Sequence, residues 1–334
     1  MLNKFACLLA AGLPLLAWFA GGLCPAVEPA PEIRRAIVNP MPVAAQVTPA
    51  ELRPAVPVLR IDEAGALSGI TGYAGHRIAG NETLRDLALQ GGSAPSLISA
   101  YNRLRTAARP GQMLVIPQVQ GASSNLKSQP CVVERGPQAL PQVALTIDAG
   151  SDADPVPKIL ATLRERQIKL TFFLTGKFIE TYPDLVRQMA ADGHEFGNHS
   201  WSHPDMRKCS SDQIKRELID TERLLNVTAG ATTRPFFRPP YGEYDEHVLL
   251  AAEDVGFLPV YWTLDALDSV GRTKFASFLV ERVTARLPEQ EMRGAIILMH
   301  CSNASTAETL PPILDRFSRM NLQVVPLSHL LSAE

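Results

Sequence analysis

The sequence predicts an α/β protein whose larger part is a parallel barrel of seven strand–helix repeats, preceded by a small module. Three observations support this prediction. Apolar runs of strand length alternate with helical patterns after residue 141, polar motifs follow several of these runs, and a short strand–helix–helix–strand pattern comes earlier in the chain. With 334 residues, 46% of them hydrophobic, the chain is long enough for about two domains with well-formed cores.

The N-terminal segment is predicted to direct export. Lys4 precedes an almost uninterrupted apolar stretch at residues 5–23, which is typical of a secretory signal peptide and also approaches the length of a membrane anchor. We interpret residues 1–26 as a signal peptide or anchor, and residues 27–66, rich in Pro, Ala and Val, as an extended tether. The expected location is secreted, periplasmic or in the cell envelope, and the N-terminal segment is the candidate membrane tether.

Charge and cysteine content argue against two classes of site. A formal net charge of -2 gives no electrostatic reason to expect nucleic acid as a partner. Outside the N-terminal segment the cysteines are Cys131, Cys209 and Cys301, an odd number without a Cys-x-x-Cys pair, so neither a disulfide framework nor a thiolate metal site is predicted. We interpret Cys301 as a small buried residue and not as a nucleophile.

Residues 67–120 carry the pattern of a small βααβ module, and residues 121–141 form a predicted linker behind it. Asn81 is expected to cap a first helix with one apolar face, a second helix covers residues 97–102, and residues 113–116 form a short strand. The pattern therefore predicts a compact unit between two breaks of irregular, Pro-containing sequence.

Two segments of this module resemble the LysM family. Residues 80–84 read Gly-Asn-Glu-Thr-Leu, one residue longer than the Gly-Asp-Thr-Leu of the family, and residues 111–117 read Gly-Gln-Met-Leu-Val-Ile-Pro. LysM domains bind glycans that contain N-acetylglucosamine, chiefly peptidoglycan and chitin, so the resemblance implies a wall-binding module. Its binding surface is expected in the loops at residues 80–83 and 99–105.

Strands and helices alternate in residues 142–334, which we interpret as the second domain. The predicted strands cover residues 142–147, 169–174, 194–198, 235–238, 257–263, 295–300 and 322–325. One intervening helix is expected at residues 211–225, where Ser210 and Gln213 form a capping box. The active sites of parallel barrels lie at the C-terminal ends of their strands, so the chemistry is expected there.

Five short polar segments stand where predicted strands end. They are residues 146–150 (Thr-Ile-Asp-Ala-Gly), 199–203 (His-Ser-Trp-Ser-His), 238–242 (Arg-Pro-Pro-Tyr-Gly), 265–268 (Asp-Ala-Leu-Asp) and 298–300 (Leu-Met-His). Together they supply two histidines at ligand spacing, a carboxylate, an arginine and a separate histidine. A metal-assisted hydrolase needs these groups.

His199 and His203 are the candidate metal ligands. Their spacing puts two imidazoles on one side of a helical turn, and catalytic zinc is commonly held by three protein ligands with one open position. Asp148 ends an apolar strand, so its carboxylate is expected at the mouth of the barrel. The sequence therefore predicts a divalent metal site, with Zn²⁺ as the expected ion.

In this order the five segments resemble the motifs of the polysaccharide deacetylases, carbohydrate esterase family 4, also called the NodB-homology family. The resemblance covers residues 142–330 and implies a distorted (β/α)7 barrel. It also implies that Asp148 is the general base, that the backbone N–H of Tyr241 faces the oxyanion and that His300 is the general acid. Arg238 is expected to hold the Asp148 carboxylate ionised through a two-point contact.

Two positions depart from the family pattern. The family usually has Thr-Phe-Asp-Asp-Gly in its first motif, with the second Asp on the metal, and Ala149 stands at that position. Three replacements remain open: Asp152 or Asp154 folds back to the metal, Asp148 binds it directly, or water fills the place. We favour Asp152. Ser269 stands where the family has a Trp, which removes one expected wall of the substrate groove.

The leading prediction is a secreted, metal-dependent N-deacetylase of an N-acetylhexosamine polymer, with peptidoglycan as the first candidate substrate. His300 needs a pKa near working pH, and a neighbouring carboxylate, Asp268 or Asp265, is expected to raise it. The alternative is a non-catalytic glycan-binding envelope protein whose barrel lost its activity together with the carboxylate at position 149. Retention of the other motif residues favours the enzyme.

Overall fold

The computed structural model describes residues 70–126, 132–150 and 152–332. The predicted signal peptide or anchor at residues 1–26 and the predicted tether at residues 27–66 lie outside this part of the chain. Within the described residues, no helix combines the length and the apolar character that crossing a membrane requires.

The N-terminal module has the predicted βααβ order. Its elements are β1 (Ile70–Arg77), α1 (Leu84–Gly91), α2 (Pro95–Tyr101) and β2 (Met113–Val119), and the two strands pair antiparallel. The prediction that Asn81 caps α1 is wrong, because residues 79–82 form a turn ahead of the helix. Thr83 is the cap, and its hydroxyl accepts from the Asp86 N–H. The assignment to the LysM family stays a prediction.

The larger part of the chain forms one curled parallel sheet. Its strands are β3 (Gln142–Ala149), β4 (Thr171–Leu174), β5 (Glu195–Asn198), β6 (Phe236–Phe237), β7 (Leu258–Pro259), β8 (Leu264–Asp265), β9 (Ile296–His300) and β10 (Gln323–Val324). Their order is β7-β6-β5-β4-β3-β9-β8, and β10 pairs with the start of β3. Since no ladder joins β7 to β8 among the described residues, the predicted α/β barrel is confirmed as an open half-barrel.

The predicted strand at residues 257–263 is wrong in its second half. Only its beginning joins the sheet, as β7, and the chain then crosses to the opposite edge, where β8 pairs with β9. On the way the Thr263 N–H donates to the Ile296 carbonyl. The apolar run continues through the crossing because Val260 is fully buried there, so hydrophobicity alone does not mark the end of β7.

Helices pack around the sheet, and the last of them contributes Leu327 and Leu330 to the apolar cluster that also contains Tyr101 of the N-terminal module. The helices are α3 (Val156–Glu165), α4 (Gly176–Thr181), α5 (Pro183–Ala191), α6 (Ser211–Ala229), α7 (Glu246–Glu253), α8 (Ala276–Ala285), α9 (Glu289–Met292), α10 (Ala304–Arg319) and α11 (Leu327–Ser332). The predicted capping box of Ser210 and Gln213 starts α6, which runs on to a left-handed Gly230. This helix is therefore longer than predicted.

Strand β3 separates the main core from the site. Leu145 and Ile147 belong to the apolar cluster shared with the helices. Thr146 and Asp148 alternate with them and contact Arg238 on the other face of the sheet. The period of two along one strand thus sends alternate side chains to the core and to the inside of the half-barrel.

The module closes the end of the half-barrel at which the strands begin. Tyr101 and Met113 of the module share an apolar cluster with Phe236 of β6. The Tyr101 hydroxyl donates to the Gly256 carbonyl, just ahead of β7. Module and sheet therefore share core residues, and the predicted linker at residues 121–141 does not hold them apart.

The loop at residues 99–105, predicted to bind glycan, contacts the sheet. Arg103 donates to the carbonyls of Phe196 and Thr232, and its guanidinium lies 3.2 Å from the Glu195 carboxylate. These contacts lie at the beginnings of β5 and β6. The loop at residues 80–83 is the largely exposed one of the two predicted binding loops.

Candidate active site

A cavity of 540 Å³ opens at the C-terminal ends of the strands. The predicted site residues that line it are Asp148, His199, His203, Tyr241, Asp265 and His300. Arg238 and Asp268 lie behind this lining, and each is hydrogen-bonded to a lining residue. Asp152 is not in the lining, because its exposed side chain accepts from the Asp154 N–H instead. Asp152 is thus the one predicted site residue that the structure leaves outside.

Asp148 is a buried carboxylate at the end of β3. Its Oδ1 accepts from Arg238 Nη1 at 2.6 Å, and its Oδ2 lies 3.5 Å from His199 Nε2. Burial acts to raise the pKa of Asp148, but the positive charge of Arg238, its hydrogen bond and the neighbouring histidines outweigh burial, so the pKa lies below its ordinary value. Asp148 is therefore ionised at neutral pH and can act as a base.

Arg238 follows β6 and is fully buried. Its Nη1 also donates to the Thr146 hydroxyl at 3.0 Å, and its Nη2 donates to the Tyr261 carbonyl at 3.2 Å. The contact with Asp148 joins one nitrogen to one oxygen, so the predicted two-point contact is wrong: the second nitrogen is engaged by a backbone carbonyl. This arrangement leaves Asp148 Oδ2 on the cavity side.

His199 presents Nε2 to the cavity. Its Nδ1 lies 2.9 Å from the Arg238 carbonyl, and because a carbonyl oxygen accepts, Nδ1 carries the proton and Nε2 the lone pair. Burial lowers the pKa of His199 to about 4, and burial also lowers the pKa of His203. The two rings meet edge to face with centroids 4.8 Å apart. Neutral imidazole is the form of histidine that binds metal ions.

These two imidazoles fit a zinc ion, but position 149 does not complete the site. Ala149 is buried in the apolar cluster of the sheet and helices and offers no ligand atom. In the described part of the chain, no three His, Cys, Asp or Glu side chains form a group that could hold a metal ion. Of the three carboxylates considered from the sequence, Asp148 lies in the cavity, whereas Asp152 and Asp154 are exposed outside it.

His300 ends β9, and the strand register places it directly beside Asp148. Its Nδ1 lies 2.9 Å from Asp268 Oδ1, and its backbone N–H donates to Asp268 Oδ2 at 2.8 Å. Burial acts to lower the pKa of His300, but the hydrogen bond to Asp268 and the charges of Asp148, Asp268 and Asp265 outweigh it, so the pKa is raised. His300 can therefore be cationic near neutral pH and act as an acid.

Asp268 is the one of the two predicted partners that contacts His300. Its carboxylate is buried, and Oδ2 also accepts from the Thr306 hydroxyl at 2.7 Å. Asp265 instead lines the cavity and accepts from the Leu267 N–H at 2.7 Å. Thr306 was not predicted, because it lies on α10 and no local pattern connects it with the motif of Asp268.

Four non-glycine residues of the site motifs have left-handed backbone conformations. They are Ser200, His203, Tyr241 and Leu267, with φ between 60° and 65°. Such conformations cost on the order of 1–3 kcal/mol each and persist where the surrounding structure enforces them. Tyr241 is 65% exposed, and its ring meets that of His203 at 4.4 Å between centroids. The role of the Tyr241 N–H at the oxyanion stays a prediction.

Three further residues contribute to the site, and no role was predicted for two of them, Thr146 and Trp262. Thr146 could have been found, since it lies two residues before Asp148 and so faces the same side of β3. Trp262 lines the cavity and stacks on Tyr261 with centroids 3.9 Å apart. Ser269 also lines the cavity, and its hydroxyl lies 3.4 Å from His300 Nε2.

Cys301 is buried next to His300, as predicted. Its Sγ lies 3.6 Å from the Asp152 carbonyl, to which it can donate, and burial raises the pKa of its thiol to about 12. The thiol is therefore protonated at neutral pH and unsuited to nucleophilic attack. Cys131 lies outside the described residues.

The half-barrel thus carries a carboxylate–arginine pair, a histidine pair and a histidine–carboxylate pair at its strand ends. The polysaccharide deacetylase family model matches residues 135–260. The chain belongs to the polysaccharide deacetylase family.

Individual relatives support this assignment. A peptidoglycan-N-acetylglucosamine deacetylase of Bacillus cereus is 35% identical over 181 residues, which are 54% of this chain and 63% of the relative. A solved structure of a peptidoglycan N-acetylglucosamine deacetylase is 32% identical with a TM-score of 0.56, covering 61% of this chain and 94% of that chain. The chain therefore spans less than two thirds of the Bacillus cereus relative.

A second solved structure bears on whether this fold implies activity. It is a CE4 family pseudoenzyme from Bacillus anthracis, 29% identical with a TM-score of 0.57, covering 62% of this chain and 70% of that chain. A mutant of the same pseudoenzyme with restored enzymatic activity has a solved structure that is likewise 29% identical with a TM-score of 0.57, covering 66% of this chain and 77% of that chain. Similar folds thus occur with and without activity.

Proposed function

We propose that this protein is a deacetylase that hydrolyses the N-acetyl groups of N-acetylhexosamine units, with peptidoglycan as its substrate. The observation that carries the proposal is the pairing of Asp148 and His300 in adjacent strands, with both side chains at one cavity. The Bacillus cereus relative supports the choice of substrate, because its name states activity on peptidoglycan N-acetylglucosamine.

The cavity residues can divide the proton transfers between them. Asp148 Oδ2 can accept a proton from the water that attacks the acetamide carbonyl, while Arg238 keeps this carboxylate ionised. The Tyr241 N–H is proposed to stabilise the oxyanion of the tetrahedral intermediate. His300 then delivers its Nε2 proton to the amine as the C–N bond breaks. Acetate and a free amino sugar leave.

We further propose that His199 and His203 hold a divalent metal ion, with Zn²⁺ expected from the two imidazole ligands. A bound ion of this kind would polarise the acetamide carbonyl and acidify the attacking water. The His199 ring is already oriented for this task by its hydrogen bond to the Arg238 carbonyl. Without a carboxylate at position 149, the binding is expected to be weaker than in a complete three-ligand site.

Export and wall binding belong to the same proposal. The apolar stretch at residues 5–23 supports a secreted, periplasmic or envelope location, with or without retention as a membrane tether. The module is proposed to bind N-acetylglucosamine-containing glycan through its exposed loop at residues 80–83.

The test is acetate release from peptidoglycan with added Zn²⁺. Mass spectrometry of the digested wall would show which sugar loses its acetyl group. Asp148→Asn should abolish release while leaving the fold intact, because the amide keeps the shape of the side chain but cannot take up a proton. Acetate release by the Asp148→Asn variant at the wild-type rate would contradict the proposal.

Two observations favour a second candidate, a glycan-binding envelope protein without catalysis. Ala149 removes one expected metal ligand, and the chain is similar to a CE4 family pseudoenzyme. Ala149→Asp separates the candidates. If the wild type binds peptidoglycan without releasing acetate and the variant gains zinc binding and release, the second candidate is supported. Acetate release by the wild type supports the deacetylase.

A further inference from the structure

The turn that joins the two candidate metal ligands is held from outside the cavity by one carboxylate. Glu217 on α6 accepts, through Oε2, from the N–H of Trp201 at 2.8 Å and from the N–H of Ser202 at 2.7 Å. Its Oε1 accepts from the Ser202 hydroxyl at 2.8 Å. One side chain therefore makes three hydrogen bonds to the middle of the segment between His199 and His203.

The backbone of this turn needs external support. Ser200 and His203 have left-handed φ values of 65° and 60°, each at a cost on the order of 1–3 kcal/mol. Asn198 Oδ1 accepts from the Ser200 N–H, and the Ser200 hydroxyl accepts from the His203 N–H. Those bonds fix the ends of the turn, whereas the bonds of Glu217 fix its centre. The two sets together hold the strained conformation.

Glu217 is not in the lining of the cavity. It lines a separate groove of 700 Å³ on the outer side of the turn, together with Trp201, Ser202 and residues of α6. A substitution of Glu217 therefore removes no side chain that lines the cavity. An effect of Glu217 on the chemistry has to pass through the turn.

His203 depends on the turn more than His199 does. The His199 N–H continues the sheet ladder to the Leu174 carbonyl, and its ring is anchored at Nδ1 by the Arg238 carbonyl. His203 follows the strained turn, and its ring lies against the rings of His199 and Tyr241. Loss of the support at Trp201 and Ser202 should therefore displace His203 first.

We infer that Glu217 is a positioning residue that sets the place of the His203 imidazole in the cavity. The inference rests on the proposed function for its effect on rate, because His203 is a proposed metal ligand. The structural part of the inference, that the position of the His203 ring depends on Glu217, does not require the proposed function. The two halves can be measured separately.

The kinetic test compares Glu217→Ala with the full-length wild type in acetate release and in zinc titration. Outer contacts of this kind are typically worth about 10–100-fold in activity or metal affinity, so kcat and zinc affinity should both fall by that factor. KM should stay within about twofold, because no substrate contact is removed. Asp220→Asn, on the same helix in an exposed ion pair with Arg223, is the matched control and should behave as the wild type.

Two conservative variants sharpen the comparison. Glu217→Gln keeps an oxygen that can accept from the Trp201 and Ser202 N–H groups, and should recover most of kcat. Glu217→Asp keeps the charge but is one methylene shorter, so it should fall toward Glu217→Ala. If Glu217→Ala does not fold, the kcat of Glu217→Asp tests the inference in its place. Full kcat in Glu217→Asp, or an equal loss in Asp220→Asn, would overturn the inference.

Histidine-ring NMR measures the structural half. In Glu217→Ala the ring signals of His203 should shift or broaden, while those of His300, which is held by Asp268, should stay in place. If the wild type releases no acetate, the proposed function fails, and these spectra alone decide about Glu217. Unchanged His203 signals would then overturn the inference.

Discussion

Two buried arginines at opposite ends of β6 show how the two ends of the half-barrel differ. Arg234 precedes the strand and Arg238 follows it, and both are almost completely inaccessible to solvent. Each guanidinium lies over an aromatic ring: Arg234 is 4.5 Å from the centroid of Phe257 and Arg238 is 4.0 Å from that of Phe173. The two arginines are therefore alike in their burial and in their stacking on an aromatic ring.

Their polar partners differ. Arg234 donates to the Tyr101 hydroxyl at 3.0 Å and to a backbone carbonyl, and its Nε lies 3.8 Å from the Glu222 carboxylate. Arg238 donates to the Asp148 carboxylate at 2.6 Å. At the beginning of the strand, a buried charge thus ties the module to the sheet. At the end of the strand, the same type of residue holds the Asp148 carboxylate ionised at the cavity.

The largest effect is expected from removing the charge of Arg238. Arg238→Met leaves Asp148 buried without its main cationic partner, so the pKa of Asp148 should rise and a smaller fraction of the base should be ionised. Loss of a working base typically costs about 10²–10⁴-fold. Since a raised pKa leaves more carboxylate ionised as the pH increases, part of kcat should return at higher pH. Acetate release measured across pH checks this.

Arg234→Met is the control at the other end of β6. It should lower the free energy of unfolding, because Tyr101 loses a buried partner, but the folded fraction should keep its kcat. An equal loss of kcat in the two variants would show that the division between a structural end and a reactive end is wrong.

A smaller effect is expected when His300 loses the support of Asp268. Asp268→Asn removes a hydrogen bond and a negative charge that raise the pKa of His300, so this pKa should fall. Because the proposed acid must be protonated, activity is lost as pH rises through the pKa of His300, and this alkaline limb should move to lower pH. At neutral pH kcat should drop by about 10-fold. An unmoved alkaline limb would remove His300 from the role of acid.

The third prediction concerns the stability of the Tyr101→Phe variant. Tyr101→Phe removes the hydroxyl that donates to the Gly256 carbonyl and accepts from Arg234. Burial raises the pKa of Tyr101, so the phenol is neutral and remains a donor at all relevant pH values. The variant should lose about 1–2 kcal/mol of unfolding free energy, measured by urea titration, with kcat unchanged. A changed kcat would mean that the module communicates with the cavity.

The fold could be predicted well where the pattern is local. The capping box of Ser210 and Gln213 and the apolar runs of β3 and β9 gave α6 and two central strands. The crossing at residues 260–263 could not be predicted, since the buried Val260 continues the apolar run beyond the last residue of β7. An apolar run in the sequence indicates that its residues are buried, but it does not show which strand they pair with.

The site could be predicted as far as its motifs extend. Asp148 and the two histidines of the second motif stand in contiguous segments at strand ends, and the structure brings them to one cavity. Thr306 and Glu217 were not predicted, because each supports a motif through side-chain hydrogen bonds from a helix outside that motif. Sequence spacing identifies the groups that face the substrate better than the groups that hold them in place.

The smallest effect concerns the loop of the module that contacts the sheet. Arg103 is partly exposed and donates to the carbonyls of Phe196 and Thr232. Arg103→Ala should therefore lower the unfolding free energy by about 1 kcal/mol and leave pull-down by insoluble peptidoglycan unchanged. Asn81→Ala, in the exposed loop at residues 80–83, is the companion variant and should weaken pull-down if this loop binds glycan. Weaker pull-down by a stably folded Arg103→Ala variant would show that the docked loop also reaches the wall, and that contact with the sheet and contact with glycan share one surface.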